Sequence, residues 1–237
     1  MKAFLYGIIL QWKLDIRSKT LLITCYIVPL LFFALMGNIF IYTVPEAKST
    51  LIQTMTIFGV TMGAFIGLPP SLVEIYGSDI KKVYKANGVP LYLGLVLTTI
   101  SAFLHLFIMS LIIYLIAPIA FQAQLPSNPI IYFNSLMIFI AVSLSFASII
   151  GLAVKDQTKT SMFSILYFLP SILLSGIMFP INLLPSSLEL IGKLFPASWG
   201  YPLLLHSSIS INTLFPLLLM LLLAIILSIM LLHKSNK

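Results

Sequence analysis

The most chemically loaded stretch of this 237-residue chain is 74–90, EIYGSDIKKVYKANGVP. It carries Glu74, Asp79, Lys81, Lys82 and Lys85, together with Tyr76 and Tyr84. Charges of both signs at this density can do ion-pairing work against a charged surface. Ser78 or Asp79 can cap a short helix that ends near Asn87-Gly88. Two readings stay open from the residues: a solvated loop whose lysines set orientation, or a short helical lever that docks on another protein.

Elsewhere the inventory is thin. His105 stands alone in an apolar run, and a single histidine there more often hydrogen-bonds a neighbouring helix than carries protons. No buried Asp, Glu or Arg is expected beside it, which argues against a proton- or sodium-driven carrier and against a charge-lined pore. The sequence has no H-E-x-x-H, G-x-S-x-G or G-x-x-x-x-G-K-[ST] motif, and no paired carboxylates inside the apolar runs. Cys25 is the one cysteine, so neither a disulfide framework nor metal-ligand spacing can be read. No metal and no cofactor are expected on this chain.

Two further patterns concern packing. Gly59, Gly63 and Gly67 recur every four residues, giving two overlapping G-x-x-x-G units and a stripe that lets helix backbones approach closely. That stripe suits contacts inside one chain, or an interface between copies. Ala141, Ser145 and Ser148 make a second small-residue face. The third pattern is an apolar segment that turns rather than leaves: Ser175-Gly176-Ile177-Met178-Phe179-Pro180, then Leu184-Pro185, then Phe195-Pro196, with only Glu189 and Lys193 charged.

The elements that hold these residues follow from composition. The chain is 60 % hydrophobic and 8 % charged, with a mean hydropathy of +1.11. Soluble domains carry about a quarter charged residues, so the bilayer is the solvent here. Backbone groups must then be satisfied internally, by helices or a closed barrel, and apolar runs of about 20 residues without alternation select helices. The expected fold is all-α and integral to the membrane, with six spans at 21–42, 51–73, 91–116, 131–153, 160–180 and 211–232. Kinks are expected at Pro29, at Pro69 and Pro70, and at Pro170. Residues 1–237 read as one transmembrane domain.

Basic residues sort the loops. With the N-terminus inside, all of the 13 lysines and arginines except Lys48 and Lys193 fall on the cytoplasmic side, Lys2, Lys234 and Lys237 included. Both termini are therefore expected in the cytoplasm, and 180–202 outside. The net charge of +7 belongs to these anchors and not to a nucleic-acid surface. Residues 1–19 are too charged to span. Phe4, Ile8, Trp12 and Ile16 recur every four residues and suggest an interfacial helix, although Asp15 and Lys19 intrude on its apolar side. Lys13, Asp15 and Arg17 leave no clean apolar core for a cleavable leader.

Taken together, the chain resembles the permease subunits of ABC-2 type transporters. The resemblance rests on an interfacial N-terminal helix before six spans, and on Glu74 closing the second span before a short helix and a Gly88-Val89-Pro90 lead-in. Its strongest part is Leu174-Ser175-Gly176-Ile177-Met178-Phe179-Pro180 with Leu184-Pro185 and Phe195-Pro196. Departures are Gly77-Ser78 in place of a Gly-Thr pair, no arginine flanking Glu74, and no basic residue after the final proline turn except His206.

The resemblance implies an exporting subunit of the cell membrane, not itself an enzyme. ATP and Mg would be bound by a partner ATPase, and the permease would pair with a second copy or a homologous permease in the membrane lipid. Glu74, Asp79, Lys81, Lys82, Tyr84 and Lys85 would couple to the ATPase. Ser175, Gly176, Phe179, Pro180, Pro185, Phe195 and Pro196 would form an external re-entrant hairpin over 180–202. Spans poor in charge suit a drug, an antibiotic peptide or a lipid-like cargo. The alternatives are the substrate-binding membrane subunit of a vitamin importer, which would need a polar pocket, and a membrane immunity protein acting alone.

Overall fold

Little charge and much apolar surface push every backbone hydrogen bond into helices, and among the described residues no strand occurs. The computed structural model describes residues 2–43, 45–208 and 210–236. Lys237, one of the lysines used to orient the chain, lies outside the described residues, as do the side chains of Lys2 and Lys85.

The first helix, α1 (Lys2–Arg17), precedes α2, which runs from Lys19–Leu22 through a π turn at Ile23–Ile27 into Val28–Thr43. Next, α3 is built from Leu51–Met62, a π turn at Gly63–Gly67, and Leu68–Tyr76. The short α4 (Ile80–Ala86) leads to α5 (Tyr92–Phe121) and α6 (Pro129–Ala153). Then come α7 (Gln157–Leu173), the short α8 (Ser186–Gly192) and α9 (Pro196–Leu205), and finally α10 (Ile211–Asn236).

Five helical segments are long and apolar enough to cross a bilayer: Lys19–Phe40, Leu51–Tyr76, Tyr92–Phe121, Pro129–Ala153 and Ile211–Lys234. The expected span at 160–180 is shorter than its sequence suggests. α7 starts early, because the Asp156 carboxylate accepts from the Lys159 amide at 2.8 Å and caps it. It ends at Leu173, three residues past Pro170, and has 17 residues. At about 1.5 Å per residue that is roughly 26 Å.

α3 is the hub. Of its most apolar stretch 94 % is buried, against 17 % for α10, so α3 is wrapped by protein while α10 turns most of its surface outward. Phe58 on α3 stacks on Phe32 of α2 with ring centroids 3.9 Å apart, and meets Phe168 of α7 edge-on at 5.8 Å. The glycine stripe explains how α2 and α5 come so close. A Cβ at Gly59 would lie 2.6 Å from Met109, and one at Gly63 2.3 Å from Leu106. At Gly67 it would meet Thr24 at 3.1 Å and Cys25 at 3.3 Å. The stripe is therefore filled from within the chain, where a second copy has no access.

The irregularities expected at Pro29 and at Pro69 and Pro70 take the form of π turns, whereas α7 runs as α-helix through Pro170 and ends three residues later. A proline ring clashes with the carbonyl four residues back. For Pro29 that carbonyl belongs to Cys25, inside the turn Ile23–Ile27; for Pro69 and Pro70 it belongs to Phe65 and Ile66, inside Gly63–Gly67. The wider i→i+5 turn relieves the clash without breaking the helix. The two π turns face each other, since Gly63 and Gly67 both rest on Cys25.

The apolar stripe expected on the N-terminal helix is split, with Trp12 stacked on His105 of α5 and other members facing out. Phe4 and Ile16 are exposed, at 42 % and 44 %, as are Leu5, Ile9, Leu10 and Leu14. The face turned to α5 is Gly7, Ile8, Gln11, Trp12, Asp15 and Ser18. A helix lying on a membrane protein in lipid has its apolar side free for the bilayer and its polar side free for the protein.

Candidate functional site

Two regions collect the residues singled out by the sequence. The first is the turn from α3 to α5. Tyr76, the last residue of α3, donates its hydroxyl to the Leu91 carbonyl at 2.6 Å and accepts from the Leu95 amide at 2.8 Å. Leu91 and Leu95 belong to the first turn of α5, whose cap residue offers no side-chain hydrogen bond. Leu91 is the residue before the helix and Leu95 its fourth, so the phenol bridges a carbonyl and an amide that face each other across the first turn of α5, and it staples the two ends of the loop together. Gly94 permits the approach, because a Cβ there would lie 3.1 Å from Ile75 and 3.2 Å from the Tyr76 oxygen.

Between the stapled ends sits α4. Ser78 donates to the Glu74 carbonyl and its hydroxyl accepts from the Ile80 amide at 3.3 Å, while the Asp79 carbonyl accepts the first helical bond, from the Val83 amide at 3.1 Å, so the two residues share the start of the helix. Asp79 pairs instead with Lys82 at 2.6 Å, and both side chains are more than four-fifths exposed. The ammonium of Lys82 holds the Asp79 carboxyl below its ordinary value, and the carboxylate raises Lys82; a pair this exposed adds little stability. The helix closes on Gly88 at φ +66°, with the Val89 amide bonded to the Tyr84 carbonyl at 2.9 Å, as in a Schellman turn.

α4 turns Ile80 and Val83 outward, 43 % and 56 % exposed, beside Asp79 and Lys82. Glu74 is exposed one turn away, while Tyr84 leans on Gly94. Gly77 fixes the region to the next loop of the same side: a Cβ there would come within 2.8 Å of the Lys155 carbonyl. Sequence reasoning found the charges but not Ile80 and Val83, nor the stapling role of Tyr76. The i, i+3 spacing of Ile80 and Val83 was the available signal.

The second region follows α7. Ser175 folds back to donate to the Ile172 carbonyl at 2.7 Å, and Gly176 adopts φ +89°. Only glycine suits this turn, since the backbone is left-handed and a Cβ would meet Ile181 at 2.8 Å. Phe179 is 54 % exposed, Pro180 precedes a 3₁₀ turn at Ile181–Leu183, and Pro185 opens α8. The Glu189–Lys193 pair spans 2.9 Å on α8. The Trp199 indole then donates to the Lys193 carbonyl at 2.8 Å.

From there the chain goes inward. Phe195 meets Tyr167 of α7 edge-on at 5.0 Å, and Pro196 begins α9. Gly200 rests on the ring of Phe139, with a built Cβ only 2.3 Å away, and Leu203 packs with Val142 and Leu217. Phe139 and Val142 lie 10 and 13 residues into α6 from Pro129, about 15–20 Å along its axis. Tyr201 adds a polar tie, accepting from the Thr54 hydroxyl at 3.4 Å.

Beside this contact is an apolar cavity of ≈ 530 Å³ between α6 and α7, lined by Ile150, Ala153, Phe163, Leu166, Tyr167 and Phe195. The Tyr167 hydroxyl there is buried without a partner. Among the described residues no cluster of three or more His, Cys, Asp or Glu could hold a metal.

One expectation fails at the N-terminus. The sequence promised no buried carboxylate, yet Asp15 is 5 % exposed. The reason is that α1 turns Asp15 and Trp12 toward the protein, where Asp15 meets Gln11, Ser101 and His105.

A helical chain with five membrane-length segments among its described residues is a multi-pass membrane protein. The ABC-2 type transporter family matches residues 3–209, so the chain belongs to that family and is the permease part of an ABC transporter, the kind of subunit that associates with an ABC ATPase. No curated protein matches the chain.

Proposed function

We propose that the protein is the membrane half of an ATP-driven exporter, moving an amphiphilic cargo such as a drug, an antibiotic peptide or a lipid-like molecule out of the cell. The observation that carries this reading is α4: a short helix with exposed Ile80 and Val83, held at both ends by the Tyr76 staple. That is a docking knob on a rigid mount. A separate ATPase, which binds ATP and Mg, seats on it through Ile80, Val83, Asp79, Lys82 and Glu74, with Lys81 and Lys85 adding positive charge. Movement of α4 is passed to α3 and α5 through Tyr76, and to α6 through Gly77.

In this reading the termini lie in the cytoplasm of a plasma-membrane protein and α7 is the sixth crossing. Its modest length is completed by the 174–176 turn, and the 180–202 segment is a re-entrant hairpin entered from outside. Contacts of Phe195 with Tyr167 and of Gly200 with Phe139 support a hairpin that closes the external end. The apolar cavity beside Tyr167 favours a greasy cargo with one hydrogen-bonding group over a small ion. The exposed face of α7, with Met162, Phe163, Leu166 and Leu169, is the surface for a second permease copy. Lipid covers α10.

The test is co-purification with a candidate ABC ATPase, followed by ATPase assays with candidate cargoes in lipid. A stable complex whose hydrolysis rises with an amphiphile is expected. Failure to join any ATPase sinks the exporter reading. Labelling of single cysteines at Ser187 and Lys82, in a chain with Cys25 replaced, should place the two on opposite sides; labelling from one side would remove the sixth crossing.

A further inference from the structure

Where α1 meets α2 and α5, three polar atoms are buried without a well-formed hydrogen bond, Asp15 Oδ2, Ser101 Oγ and His105 Nε2, although Ser101 lies near enough to Asp15 to favour its charged form. Their residues are 5 %, 0 % and 1 % exposed. The other atoms of the same groups are placed. Asp15 Oδ1 accepts from Gln11 at 2.9 Å, His105 Nδ1 shares a 2.8 Å hydrogen bond with the Tyr26 hydroxyl, and the imidazole lies flat on the Trp12 indole at 4.2 Å and 6°. Buried polar atoms without well-formed hydrogen bonds are costly, and three in one cluster point to a missing ligand.

We propose that Asp15, Ser101 and His105 form a proton-binding site that clamps α1 onto α5, the aspartate and the histidine holding one proton between them. The bonding explains the stoichiometry. If Tyr26 donates to Nδ1, the imidazole proton sits on Nε2 and needs an acceptor, which a bare Asp15 oxygen supplies only at the expense of a buried charge. With one further proton, the imidazolium donates through Nδ1 to Tyr26 and through Nε2 toward Asp15, or a protonated Asp15 donates toward the imidazole. Either form is neutral as a pair and leaves no charge uncompensated. Ser101, both donor and acceptor, faces the same carboxyl and can relay, directly or with one water.

Among the described residues, His105 is the one charged partner that acts on the carboxylate. α1 presents Gln11 and Trp12, α2 presents Cys25 and Tyr26, and α5 presents Ser101 and His105. α3, which backs the cluster through Gly63 and Gly67, has no ionisable residue from Leu51 to Val73. Burial raises the Asp15 carboxyl from its ordinary 3.8, while Ser101, Gln11 and His105 pull less strongly downward. An acid raised in the folded state stabilises it most at low pH and loses that contribution as pH climbs through the raised value. Docking of α1 is thus tight in acid and loosens on alkalinisation.

Trp12 reports on the site directly, and the chain has only two tryptophans. In a Trp199→Phe background in lipid nanodiscs, Trp12 emission is expected to show one transition across roughly pH 5–9, quenched on the acid side where the stacked ring carries charge. Asp15→Asn and His105→Gln should each abolish it. Emission that ignores pH, or a transition that survives Asp15→Asn, overturns the proposal. Should a variant fail to assemble, infrared spectroscopy of the unsubstituted chain reads the same proton among only six acidic residues. A protonated-carboxyl or imidazolium band at neutral pH, lost in alkali, supports the site, and the lack of both bands overturns it. Neither readout depends on transport.

Discussion

Replacing Tyr76 with Phe removes one oxygen and keeps the ring, which is 6 % exposed and has little room to shift. Two hydrogen bonds go with it, to the Leu91 carbonyl and from the Leu95 amide. At about 0.5–1.5 kcal/mol net per bond the loss is about 1–3 kcal/mol. The freed amide and carbonyl stand one helical turn apart and can partly close on each other, so the expected figure is about 1–2 kcal/mol, a factor of roughly 5–30 in local opening. Because the staple ties one turn of α5, the effect should be local. Hydrogen exchange in lipid nanodiscs reads it best: the amides of 92–95 should exchange roughly 5–30-fold faster, with those of the central part of α5 unchanged. Exchange at Leu95 within about twofold of the unsubstituted chain would mean that the hydroxyl carries no net bond. The stapling argument would then be wrong.

Gly63→Leu should destabilise the chain by about 1–3 kcal/mol through overpacking against Leu106, seen as a lower midpoint of thermal unfolding in detergent. A wild-type midpoint would deny the close contact. Ile80→Asp with Val83→Asp should abolish ATPase co-purification while membrane insertion stays intact, and Lys82→Glu should weaken it less. Gly200→Leu cannot seat against Phe139, so a cysteine placed at Phe195 should become more reactive from outside than in the Gly200 parent. Equal reactivity would show that the hairpin does not rest there.

The elements that the sequence displays most plainly are those set by polymer rules that do not depend on context. Five long helices follow from apolar length, and α4 follows from its capping residues and a glycine stop, its observed Ile80–Ala86 falling between the expected cap at Ser78 or Asp79 and the expected end near Asn87-Gly88. The turn at Ser175-Gly176 was legible because only glycine fits it. What sequence could not supply is direction. In lipid the outside of a helix is as apolar as its inside, so periodicity does not say which face meets protein, and the stripe of Phe4, Ile8, Trp12 and Ile16 is split: Phe4 and Ile16 are exposed, while Trp12 stacks on His105. Asp15 looked like an intrusion on a greasy face, when it was the face. The Tyr76 staple was equally hidden, because its partners are backbone atoms 15 and 19 residues away, which no side-chain pattern announces.

The π turn at Gly63–Gly67 holds one residue more than a regular turn would. Delete any one of the five and the helix can heal into an unbroken α-helix, with every hydrogen bond made. Yet the half of α3 before the cut would swing by about 100° about its axis, carrying Gly59 off Met109 and Phe58 off Phe32. Length is therefore under tighter constraint here than residue identity: related chains can vary letters across this stretch far more freely than they can gain or lose one.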